Sequence, residues 1–306
     1  MSDPSSPTGS PARSPTGAPT ASQAGPTTGL PAWLTDQDLD DYLHTAITAA
    51  REAGRVQIEE AGSDLQVGTK STDSDLVTRV DSLSEERIRQ IVQAAHPDHV
   101  FVGEEGSYDG AGKGQSGADE RFRWIVDPID GTVNYAHGFP FYCASIALEV
   151  EGVMVVGVVF DPTRDELFSA VNGRGATLNG AEISVSGASA LNQALVATGF
   201  AYDVPTRLIN LELFGKVLPV VRGVRRAGAA ALDICYVACG RLDAFWELQL
   251  QPWDMAAATL ILREAGGSTS GADGLPHVLT DELLVATNGA LHGKLLDLLG
   301  VVDLRA

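Results

Sequence analysis

From Thr35 onward the apolar positions recur at helical spacing, with Leu39, Tyr42, Leu43, Ala46, Ile47, Ala50 and Ala53 on one face. Thr35, followed by Asp36 and Asp38, reads as the N-cap of that helix. A polar loop from about 61 to 75 holds Lys70, and an extended run from Asp75 to Asp81 leads to a second helix that ends near Ala95. The pattern then shortens. Val100-Phe101-Val102 reads as a brief buried strand ending in Gly103-Glu104-Glu105-Gly106, and 107–119 as a mobile Gly-rich loop. Trp124-Ile125-Val126 reads as a second buried strand, which Pro128 stops, so that Asp127 sits at its C-terminal end. Tyr142 to Val150 and Val153 to Phe160 are strands joined by a hairpin turn at Glu151-Gly152; Glu166 to Ala170 adds a third, and Asn179-Gly180 marks another tight turn. Beyond a Gly/Ser/Ala stretch near 187, strands near 194–198, 223–226, 243–247 and 283–286 alternate with helices near 205–218, 229–240 and 252–265, and a last helix closes the chain. This alternation predicts α/β layering.

Composition sets limits around this pattern. Residues 1–32 are Pro, Gly, Ser and Thr with few large apolar side chains, a tail that cannot offset its ordering entropy and is expected to be disordered. Residues 33–186 then form an N-terminal α+β half and residues 187–306 a C-terminal α/β half, joined in one compact catalytic unit. Hydrophobic content of 44% and a mean hydropathy near zero fit a globular protein, and no stretch is long and apolar enough to span a membrane. The net charge of −19 argues against nucleic acid or anionic membranes as primary partners, although bound divalent cations would reverse the local field. Cys143, Cys235 and Cys239 are too few for a disulfide framework, so a reduced cytoplasm is the expected setting. Cys235 and Cys239 read as core thiols, and the six histidines show no metal-ligand spacing.

Three acidic clusters fall where regular elements begin or end: Glu104, the pair Asp127 and Asp130, and Asp254. Each alone is an ordinary solvated acid or a helix first-turn residue. Together they offer hard oxygen ligands for two or three divalent cations. Asp127-Pro128-Ile129-Asp130 places two carboxylates and a carbonyl on one short turn, a donor set suited to Mg²⁺ or Mn²⁺. Gly131 lets the backbone approach a ligand, and a helix starting there would point N–H groups at an anion. Metal ligands beside an anion pocket suggest phosphate-ester chemistry.

Asp127 through Thr132, continuing to Asn134-Tyr135, resembles one signature of the inositol monophosphatase family of Mg²⁺-dependent, often lithium-sensitive phosphatases. Trp253-Asp254-Met255-Ala256-Ala257, running to Glu264-Ala265-Gly266-Gly267, resembles the other. Gly103-Glu104-Glu105 and Asp75-Leu76-Val77-Thr78 through Asp81 match in order and spacing, and the resemblance covers about residues 36 to 300. It implies a layered α/β/α/β/α sandwich of α/β (α+β) class, shared with fructose 1,6-bisphosphatase, and a homodimer. It also implies roles. Glu104, Asp127 and the Ile129 carbonyl would hold a first Mg²⁺, and Asp127, Asp130 and Asp254 a second. A third would be held through Glu104 and water, with Lys70 nearby. Thr132, oriented by Asp81, would deprotonate a water that attacks phosphorus in line, while the Gly131 and Thr132 amides hold phosphate oxygens. Glu247 and the Gly228-Ala229-Ala230 segment would line the pocket for substrate hydroxyls. Gln251 stands where eukaryotic members carry a histidine, and His137 reads as a surface or interface residue. The implied substrate is myo-inositol 1-phosphate or another small phosphorylated polyol or sugar. Fructose 1,6-bisphosphate, histidinol phosphate and adenosine 3′,5′-bisphosphate are the rival substrates, and an inactive member kept for binding is the rival outside enzymology.

Overall fold

The computed structural model describes residues 29–72, 75–106 and 118–300; most of the N-terminal tail and of the 107–119 loop lie outside them. Helix α1 (Asp36–Glu60) starts as its sequence predicts. Thr35 Oγ1 accepts the Asp38 N–H at 3.2 Å while the Asp38 carboxylate accepts the Thr35 N–H at 2.9 Å, which satisfies two otherwise orphaned donors. A small hairpin of β1 (Gly68–Thr69) and β2 (Leu76–Val77) follows, within a stretch the sequence reading divided between a loop and an extended run. That extended run also proves shorter than expected. Thr78 caps helix α2 (Arg79–Ala95), and Asp81 sits in its first turn.

The first sheet contains seven strands in the order β3-β4-β5-β6-β7-β8-β9. They are β3 (His99–Gly103), β4 (Asp119–Asp130), β5 (Cys143–Val150), β6 (Val153–Asp161), β7 (Glu166–Val171), β8 (Ala176–Leu178) and β9 (Ala181–Glu182). Only β3 and β4 pair in parallel. The turn between β5 and β6 puts Glu151 and Gly152 at φ 51° and 81°, matching the hairpin signature. Pro128 does not end the central strand. β4 continues to Asp130 through a bulge: Asp127 faces Ser145 and Asp130 faces Cys143, so three steps on one strand oppose two on the other. A bulge tolerates a residue without an N–H, which is why the proline is accommodated.

After α3, a single turn over Thr132–Ala136, and the meander, the chain enters a five-stranded mixed sheet. Its strands are β10 (Leu195–Thr198), β11 (Gly223–Arg225), β12 (Ala244–Leu248), β13 (Ser268–Ser270) and β14 (Leu283–Thr287), in the order β11-β10-β12-β14-β13. Ser-Thr-Ser of β13 carries no apolar signal and was not legible as a strand. Helices α4 (Val204–Val217), α5 (Ala230–Ala238), α6 (Pro252–Glu264) and α7 (His292–Leu299) complete the molecule.

The layers follow from burial on both sheet faces. Trp124 and Val126 point into a cluster with Leu39, Ala46 and Ile88 of α1 and α2, whereas Ile125 points into a cluster with Leu232, Met255 and Leu260 of α5 and α6. A strand covered on both faces reads as a continuous apolar run instead of an alternating one. On the far side of the second sheet, Val196, Trp246 and Val285 pack against Leu213, Val217 and Leu295 of α4 and α7. The result is an α/β/α/β/α sandwich, as the resemblance implies. Among the described residues no helix is long and apolar enough to cross a membrane.

Candidate active site

The acids of the central turn are placed by the bulge. Asp127 Oδ1 accepts the Ile129 N–H at 2.9 Å, which folds the turn back on itself and buries the carboxylate. Asp130 ends the strand and reaches across to the second half of the chain: its oxygens accept the Ala230 and Ala231 N–H groups, at 3.2 and 2.7 Å, at the N-terminus of α5. Gly131 follows at φ 94°. A Cβ there would lie 3.0 Å from the Phe141 carbonyl and 3.2 Å from Ala229 Cβ, so both backbone conformation and space call for glycine. Thr132 opens α3, and as its first residue leaves its N–H without an intrahelical acceptor.

These residues line one cavity of about 530 Å³ together with Lys70, Glu104, Glu247 and Asp254. Glu104 enters from the end of β3, and Lys70 Nζ donates to its Oε1 at 2.7 Å and also to Glu105. Asp254 is in the first turn of α6, where the Gln251 N–H donates to its Oδ2 at 2.7 Å, so one residue both closes a capping box and faces the cavity. Asp81 is fully buried. Its Oδ2 accepts the Thr78 N–H and hydroxyl at 2.8 and 2.6 Å, and its Oδ1 lies 3.0 Å from Thr132 Oγ1. The Ile129 carbonyl is a second acceptor for the same threonine hydroxyl, also at 3.0 Å. A hydroxyl carries one proton, so only one of these bonds is made at a time.

The electrostatics record crowded negative charge. Burial first, and then Glu104, Asp130 and Asp254, push the Asp127 carboxyl well above the usual range. Burial, offset in part by Lys70, raises Glu104 to about 7. Asp254 is likewise raised to about 7 by burial and then by Asp130, and Asp130 to about 6 by burial against its amide donors. Among the described residues no three such side chains already meet at metal-ligating distance. The donor set nevertheless fits a hard cation: buried carboxylates in one cavity, with one lysine as their nearest countercharge.

Acids whose folded pKa exceeds the unfolded value of about 4 make the folded state bind more protons, so stability falls as pH rises from about 4 to about 7. Metal-stripped protein is therefore expected to melt at lower temperature at pH 8 than at pH 5. Saturating Mg²⁺ should recover about 5 °C or more at pH 8 and much less at pH 5. Calorimetry at the two pH values, with EDTA or with Mg²⁺, checks this.

Glu247 of β12 also lines the cavity and lies directly over Gly199, where an added Cβ would fall 2.0 Å from both carboxylate oxygens. Burial and Asp254 push its pKa well up, opposed by Arg226. Ala230 lines the cavity with its N–H already engaged by Asp130, so that amide is not free for a substrate hydroxyl. Gln251 lines it too; His137 is exposed and outside it. Cys235 is buried and Cys239 half-buried, neither in a disulfide.

Sequence reasoning missed the wall formed by Phe200, Tyr202 and Asp203, and it missed Arg226 and Gln249. The first three follow β10 and no periodicity singles them out. Gln249 is held at φ 60°, a conformation rare outside glycine and invisible in its residue type.

The model of the inositol monophosphatase family matches residues 38–301. An inositol-1-monophosphatase from Synechocystis is 43% identical over 260 residues, 84% of this chain and 88% of the relative. The Nus factor SuhB of Pseudomonas aeruginosa is 41% identical over 256 residues, 82% and 92% of the two chains. Among solved structures, the extragenic suppressor protein suhB of Bartonella henselae superposes with a TM-score of 0.79 at 38% identity, covering 84% of this chain and 98% of that one. Inositol monophosphatase from Anabaena gives 0.75 at 36%, covering 86% and 96%. Sequence and fold agree over the stretch that carries both acidic signatures, and the chain belongs to the inositol monophosphatase family.

Proposed function

We propose that this chain hydrolyses the phosphomonoester of myo-inositol 1-phosphate, within the phosphatase activity of its family. The observation that carries this reading is one cavity lined by four acids, Glu104, Asp127, Asp130 and Asp254, together with a further carboxylate, Glu247, that lies over Gly199. Glu104, Asp127, the Ile129 carbonyl, Asp130 and Asp254 are fitted to hold two or three Mg²⁺, with Mn²⁺ a chemically close substitute, and such ions supply charge neutralisation at phosphate and a more acidic water. The protein's own residues do the rest. When Thr132 donates its proton to Asp81, the lone pairs of its oxygen are left to receive a proton from a water beside it. Burial raises the Asp81 carboxyl, against the bonds from Thr78, so it is the better acceptor at the end of that relay. The Gly131 and Thr132 amides orient phosphate oxygens, and Lys70 balances Glu104 and Glu105.

Glu247 would accept hydrogen bonds from the polyol. Glu247→Gln is expected to lower kcat/KM for inositol 1-phosphate by about 10- to 100-fold, the range of a charge-assisted hydrogen bond. Gly199→Ala should act in the same direction, because its methyl takes the space of the carboxylate. Neither should change hydrolysis of 4-nitrophenyl phosphate, which has no hydroxyls to lose, by more than about twofold. Equal losses on both substrates would remove Glu247 from substrate recognition.

A solved structure of a Staphylococcus aureus relative, 29% identical, contains inositol monophosphate, which supports the polyol reading. A second structure of that relative, 30% identical over the aligned part, contains 2′AMP, and this favours a nucleotide monophosphate as the second substrate to test.

A further inference from the structure

A second cavity of about 400 Å³ lies apart from the acidic one, between the first sheet, α6 and the segment after β13. Its floor is apolar, formed by Val102, Ile125, Val153 and Met154. Its polar wall carries Arg123, Glu149, Arg263 and His277. Arg123 is paired with Glu149 at 3.2 Å, which cancels those two charges. Arg263 is exposed and has no ion pair among the described residues. His277 Nε2 is shut off from water and has no hydrogen-bond partner among the described residues. In a chain of net charge −19, this leaves a cavity with an apolar floor and one guanidinium outside any ion pair among the described residues.

We propose that this cavity binds a small amphiphilic anion, with its charged group on Arg263 and its apolar body over Val102 and Ile125. The size lies within the range of small-molecule sites, and an unpaired guanidinium on an apolar floor matches a sulfonate, phosphate or carboxylate carried on a ring or short chain. Val102, Ile125 and Pro252 each stand two residues before Glu104, Asp127 and Asp254, so a ligand here touches all three elements that bring acids to the first cavity.

The probe is 2-naphthalenesulfonate, titrated by calorimetry into the full chain, with uncharged 2-naphthalenesulfonamide as control. The expected result is saturable one-to-one binding, unaffected by inorganic phosphate and at least tenfold tighter than the sulfonamide. Arg263→Gln should weaken it at least tenfold. That side chain is exposed near the end of α6, so the variant is expected to fold, and an unchanged melting temperature checks it. No saturable binding, an affinity within about twofold in Arg263→Gln, or displacement by inorganic phosphate (which would put the probe in the acidic cavity) would each overturn the proposal.

Discussion

Asp130→Asn is expected to reduce kcat for phosphate release by on the order of 10³-fold, about 4 kcal/mol of barrier. The substitution is nearly isosteric, so the loss must come from charge. Asp130 sits among Asp127, Glu104 and Asp254 in one cavity, and a cation held there depends on their summed negative charge. The residue has a second duty: it accepts the Ala230 and Ala231 N–H groups and so ties the end of β4 to α5. Asparagine keeps one acceptor oxygen and turns its amide nitrogen toward a donor, so some stability should be lost as well. A melting curve of the variant separates the two effects. A folded variant with a drop of less than about tenfold, 1.4 kcal/mol, would remove Asp130 from the metal site.

Thr132→Ala is expected to lower kcat by about 10²- to 10⁴-fold while leaving KM nearly unchanged, the range of a lost proton relay. Alanine keeps the backbone N–H but removes the γ-methyl together with the hydroxyl that lies 3.0 Å from Asp81. Thr132→Ser restores that hydroxyl and should recover most of the rate. If serine and alanine were equally slow, the threonine methyl would matter more than the proton, and the relay through Asp81 would fail.

The sequence and the structure agree best where one residue type answers to one local cause. Thr35 ahead of Asp38 is a capping box in both, and the apolar face of α1 is the buried one. The acids of the site were legible because their spacing within short motifs survives folding unchanged. Pro128 misled for a physical reason: a missing N–H ends a regular ladder, but here the bulge removes the need for it. Asp81 was expected at the end of an extended run and lies instead in the first turn of α2, with its carboxylate shared between Thr78 and Thr132. Contacts between distant residues left no trace in the pattern. Glu247 over Gly199 and Asp130 on the α5 amides each join segments that are far apart in the chain, and only the folded sheets bring them into register.

The most direct test of the phosphatase account is phosphate release with Mg²⁺, comparing kcat/KM for inositol 1-phosphate, 2′AMP, fructose 1,6-bisphosphate, histidinol phosphate and adenosine 3′,5′-bisphosphate, each repeated with EDTA. The expected result is turnover that leads for inositol 1-phosphate and disappears with EDTA. A lead for another substrate would keep the acid cluster and contradict the role given to Glu247. Release that persists undiminished in EDTA, or no release from any of the five, would contradict the metal-assisted chemistry itself.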